Sequence, residues 1–137
     1  HTRGGLKTYR RECYEEIGGI KEINGWDGVD NILAQMNGWE TTSFLDLEVQ
    51  HQRRTGSHSG LIVGCFESGR FAHSMGYFPP FMIARSLHRM ASKPIFFGGI
   101  SMFMGYLYSI FTRQKRSTEP EVAAFLRKKQ KERLKFP

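Results

Sequence analysis

Two carboxylates three residues apart, Asp27 and Asp30, follow directly on Gly25-Trp26 and open a segment in which Val29, Ile32, Leu33 and Met36 recur at spacings of three and four. That spacing predicts an amphipathic helix with Asp27 as its N-cap and Asp30 in its first turn. A carboxylate pair at a helix start can act as a general base or as metal ligands, or it can simply cap the helix, an effect worth ~1 kcal/mol. A second group with chemical potential is Gln50-His51-Gln52-Arg53-Arg54. Imidazole and guanidinium groups gathered at a strand's end suit a diphosphate or a metal-bound phosphate, and a polar loop is the plain alternative. His58, His73 and His88 stand alone and read as surface or internally satisfied histidines.

The elements that must position these groups can be read in order. Gly4-Gly5 leads into a short strand over Leu6–Arg10; Glu12–Ile17 reads as a short helix stopped by Gly18-Gly19; Asn24-Gly25 is a turn. Gly38 ends the helix begun at Asp27, and Thr41–Val49 alternates apolar and polar residues as a half-buried strand would. Ser57–Gly69 is rich in small residues and carries no clear periodicity, so it is assigned no regular element. Phe81–Met90 is an amphipathic helix in which Ile83, Leu87 and Met90 face one way and Arg85 and Arg89 another.

Between Lys93 and Arg113 lie 19 residues without a charge. As one helix they would reach ~28 Å, close to the thickness of a bilayer's hydrocarbon core. Lys93, Arg113, Lys115 and Arg116 flank this stretch and suit an anionic cytoplasmic leaflet. A buried core helix, packed closely through Gly98, Gly99 and Gly105, is the competing reading; between spanning, re-entering and lying flat the sequence makes no choice. Thr118-Glu-Pro-Glu121 has capping-box spacing and opens a basic tail helix striped by Val122, Phe125 and Leu126.

The 137 residues have a net charge of +7, but residues from Arg113 onward hold nine Lys and Arg against three Glu, whereas residues 1–112 hold 11 basic and 10 acidic residues. The basic charge therefore belongs to the tail, which argues against a nucleic-acid-binding core. Fifteen Gly, eleven Phe and 39% apolar residues exclude a disordered chain or a coiled coil. Cys13 and Cys65, two and far apart, point to reduced thiols and a cytosolic setting rather than a disulfide scaffold or a zinc knuckle.

Read in order, Gly4-Gly5-Leu6, Tyr9-Arg10-Arg11, Ile17-Gly18-Gly19, Gly25-Trp26-Asp27-Gly28-Val29-Asp30, Gly38-Trp39-Glu40-Thr41 and Asp46-Leu47-Glu48-Val49-Gln50-His51-Gln52-Arg53 resemble the C-terminal half of family-2 glycosyltransferases, the inverting GT-A enzymes. The nearer likeness is to the membrane-associated bacterial members of polysaccharide and glycolipid synthesis. Specific motifs cover residues 3–57, and a looser match continues to the basic tail.

The resemblance implies an α/β fold: the acceptor-side part of a GT-A domain over residues 1–70, amphipathic and apolar membrane-associating helices over 71–112, and a basic amphipathic tail over 113–137. It implies that Asp27, and Asp30 after it, is the catalytic base; that Gly4, Gly5 and Trp26, with Trp39, line the acceptor site, core packing being the alternative for both Trp residues and the preferred one for Trp39; and that His51 reaches a divalent metal (Mg or Mn) or the diphosphate, with Arg53 or Arg54 assisting. Asp27 and His51 would then share one reaction centre. Gln50-His-Gln-Arg53 is followed by Arg54 where processive synthases carry Trp, which favours transfer of a single sugar.

The implied partners are a nucleotide-sugar donor, a lipid-linked or glycan acceptor and the membrane, with no nucleic acid, at the cytoplasmic face of the cell membrane. The nucleotide-binding half, with the main metal ligands, is expected upstream, so the chain alone should not catalyse transfer. A membrane-anchored adaptor without catalysis is the rival reading, and RNA binding by the tail alone is a third.

Overall fold

The computed structural model describes residues 6–22, 26–44 and 60–135, with Trp26 described in its backbone only. Six helices account for the regular structure: α1 (Arg11–Glu16), α2 (Trp26–Met36), α3 (Gly60–Ser74), α4 (Pro79–Met90), α5 (Phe97–Phe111) and α6 (Pro120–Lys135). They fall into two compact units, residues 1–50 and 51–137.

In the first unit, α1 stops where the sequence places its end. Gly18 and Gly19 both adopt φ +73°, a left-handed backbone that side chains with a β-carbon rarely take, and the Gly19 N–H closes back on the Tyr14 carbonyl at 2.9 Å. Cys13 and Ile17 from the α1 region and Ala34 from α2 form a small core, with Tyr9, Leu33 and Trp39 packed against it. The two cysteines are free thiols, each buried.

In the second unit, α5 packs against both α3 and α4. Cys65, Ala72, Met82, Met102 and Tyr106 form its core, with Tyr77 beside them. The α3–α5 contact is a backbone-to-backbone approach. A β-carbon on Gly69 would stand 1.8 Å from the Met102 carbonyl oxygen, so only glycine fits there. Helix α6 is tied on by two long-range bonds: the Gln130 side-chain oxygen accepts the Phe78 N–H at 2.8 Å, and Arg127 Nε donates to the Gly76 carbonyl at 2.8 Å.

Several expectations need correction. The α/β fold is overturned, because the described residues form helices and contain no strand. Residues 7–10, expected as a strand, have no regular structure; neither do residues 41–44, where Phe44 is exposed, and the rest of that expected strand lies outside the described residues.

The stretch read as irregular before Gly69 becomes most of α3, because close packing against α5 outweighs the poor helix propensity of its glycines. The uncharged segment yields a helix of only 15 residues, since α5 begins after a turn through Pro94–Phe96. No helix among the described residues is long and apolar enough to cross a membrane. The Thr118 hydroxyl, expected to cap the tail helix, is buried and donates to the Met75 sulfur at 3.1 Å.

Candidate functional site

Asp27 and Asp30 both lie on the first turns of α2, which begins one residue earlier than the spacing indicates. Asp27 is therefore inside the first turn instead of at the cap, where its charge still favours the helix dipole. The two carboxylates have different surroundings.

Asp30 is 2% exposed. Its Oδ1 accepts from Lys7 Nζ at 2.6 Å and from the Asn31 N–H at 2.6 Å, and its Oδ2 accepts from the Tyr9 hydroxyl. Lys7 and Tyr9, two residues apart on a segment without regular structure, reach one carboxylate together. Lys7 also donates to the Asp27 carbonyl, as does Asn31 Nδ2 at 3.0 Å, which fixes the backbone of the first turn. Burial, and after it the bond to the Asp30 carboxylate, raise the Tyr9 hydroxyl well above the ordinary tyrosine value, so it remains a proton donor to Asp30 at all physiological pH.

Asp27 is half-buried, and no hydrogen bond or ion pair joins its carboxylate to another described residue. It keeps the lone pairs a general base needs, whereas those of Asp30 are committed. Burial, then the charges of Glu16 and Asp30, push the nearby Cys13 thiol up, which leaves it an inert core group and not a nucleophile.

Of the other residues singled out by sequence, Gly4, Gly5, His51, Arg53 and Arg54 lie outside the described residues, as does the Trp26 side chain. Trp39 packs against the first unit's core, as preferred for it, and its Nε1 donates to Glu16 at 2.7 Å. Lys7 and Tyr9 were not singled out as site residues. Their separation of more than 20 positions from Asp30 left only the alternation Lys-Thr-Tyr as a signal.

The described donor set does not fit a divalent cation. The Asp30 oxygens are taken by an ammonium, a phenol and an amide, and no three His, Cys, Asp or Glu among the described residues converge on a point that could hold a metal.

Comparison with protein-family models, with curated proteins and with solved structures finds no match to this chain.

Proposed function

We propose that the chain supplies the acceptor side of an inverting glycosyltransferase acting at the cytoplasmic face of a membrane, with Asp27 as general base. The observation that carries this reading is the division of labour in the carboxylate pair. Asp30 is locked by Lys7 and Tyr9, and Asp27, one turn earlier on a fixed backbone, is left with a carboxylate free of described partners.

A sugar hydroxyl is a poor nucleophile at neutral pH. As its oxygen bonds to the anomeric carbon, its proton passes to Asp27; the bond from that carbon to the nucleoside diphosphate breaks, and the electron pair leaves with the diphosphate, inverting the centre. Asp30 acts as a positioning residue, holding the turn that carries Asp27. The reading requires a nucleotide-sugar site upstream of His1. It draws on the motif order of residues 3–57 and not on the GT-A fold, which the helical structure does not support.

The test is Asp27→Asn in the full-length protein: transfer should fall at least a hundredfold with nucleotide-sugar binding and melting temperature retained. Undiminished turnover removes Asp27 from the role. The adaptor reading, in which the second unit binds a membrane and the first does no chemistry, draws support from the exposed apolar residues of α3–α5. It predicts that no sugar transfer accompanies the intact reading frame.

A further inference from the structure

Helices α4 and α5 enclose a groove of about 210 Å³ walled by Ile83, Leu87 and Met90 from one helix and Ile100, Phe103 and Met104 from the other. Amphipathic spacing correctly places Ile83 and Leu87 on one stripe, but that stripe points outward. Met82 and Ser86 are the buried residues of α4, while Ile83 and Leu87 are 49% and 59% exposed. The groove is larger than the ~150 Å³ apolar cavities that take up a benzene ring. The groove wall exposes apolar surface alone, and the Ser86 hydroxyl is sealed beneath it.

The turn joining the two helices presents Ile95, Phe96 and Phe97 in succession, each more than half exposed. Phe96 is held at φ +62°, a left-handed backbone that is unfavourable for a non-glycine residue. No packing inside the unit offsets that cost, because the ring is exposed. A cation is placed at one end of the groove. The Arg89 guanidinium lies over Gly98 at the start of α5, next to the Met90 and Ile100 end of the groove, and donates to the Ser92 and Lys93 carbonyls.

We infer that the α4–α5 groove seats one acyl chain of an anionic membrane lipid. The chain lies against Ile83, Leu87 and Met104, and its anionic headgroup is held by the Arg89 guanidinium. The Ile95–Phe97 turn enters the bilayer beside it. A lipid fits better than a protein partner because a wholly apolar wall ending at a guanidinium, beside the exposed Ile95, Phe96 and Phe97, matches a hydrocarbon chain with an anionic head at a membrane surface. Attachment of this kind lies in the plane of the interface and needs no spanning helix. The inference is independent of the transfer chemistry and shares with it only attachment to a membrane.

The test measures binding of myristoyl lysophosphatidylglycerol below its micelle concentration to the full chain, with the zwitterionic lysophosphatidylcholine as comparison. One lipid should bind per chain, the anionic one at least tenfold more tightly. Leu87→Glu, exposed and so tolerated by the fold, should weaken binding tenfold or more. A Phe103→Trp probe should be quenched by brominated acyl chains.

Equal affinity for both headgroups, unsaturable binding, or indifference to Leu87→Glu would overturn the assignment. So would a concentration-dependent dimer that excludes the lysolipid, since a second copy would then fill the groove. Lipid binding that persists in a transfer-dead Asp27→Asn protein leaves this inference standing, and lost lipid binding with intact transfer faults it alone.

Discussion

Gly105 of α5 lies so close to Phe66 of α3 that a β-carbon built on it would stand 2.0 Å from the Phe66 carbonyl oxygen. With Gly69 set equally close to Met102 in the opposite sense, the two helices touch through their backbones. Side chains around the crossing can then reach across it. The Ser101 hydroxyl donates to the Ile62 carbonyl at 2.8 Å, and His73 meets the Tyr106 ring edge-on at 5.9 Å.

Gly105→Ala should therefore force the helices apart and cost about 3 kcal/mol, the upper range for overpacking. Gly64 makes the control, being on the same helix pair with open space where a β-carbon would go. Gly64→Ala should stabilise by roughly 0.5–1 kcal/mol through helix propensity. Thermal melts of both variants check the contrast; a Gly105→Ala protein melting with the parent would show that the contact is not tight.

Removing Lys7 strands a buried carboxylate. Lys7→Met should destabilise the first unit by roughly 3–5 kcal/mol, the range for a broken buried pair. Asp27→Asn should leave the melting temperature within a degree or two. A double-mutant cycle with Asp30→Asn should give a large coupling energy, and additive losses would deny the pair its structural role.

His73 provides a pH dependence. Burial first, and the Arg116 charge second, hold its imidazole below the usual 6.5, and its Nδ1 is buried with no partner. The unfolded chain then binds a proton at a pH where the folded one does not. The stability this group contributes is fully present above pH ~6.5 and is lost as pH falls below it. Melting temperature should decline from pH 7.5 to pH 5, and His73→Phe, which keeps an aromatic ring against Tyr106, should flatten that part of the curve. An unchanged slope in the variant would place the titrating group elsewhere.

One of the two bonds that tie α6 down runs through an amide side chain. In Gln130→Leu the buried Phe78 N–H loses its acceptor, at a cost of about 1–3 kcal/mol. Amide exchange across residues 120–135 should then accelerate well before exchange in α5 does. Equal acceleration in both helices would mean that the second unit opens as a whole.

What the sequence determined by itself is local. Gly18-Gly19 ends α1, the apolar spacing from Val29 to Met36 marks α2, the amphipathic pattern to Met90 marks α4, and the charge surplus belongs to the tail. These follow from backbone freedom and periodicity, which a short window of residues contains. Tertiary structure decided the rest, because each remaining feature depends on a distant partner.

The residues up to Gly69, which read as irregular by themselves, are helical in α3, where Gly69 lets the helix meet the α5 backbone. The apolar stripe of α4 has the spacing of a core face, yet Gly99 brings α5 against the Ser86 carbonyl and leaves Ile83 and Leu87 outside. Asp27 and Asp30 are alike in sequence. Lys7 and Tyr9, more than 20 residues from Asp30, make it a buried anchor and engage no oxygen of the Asp27 carboxylate.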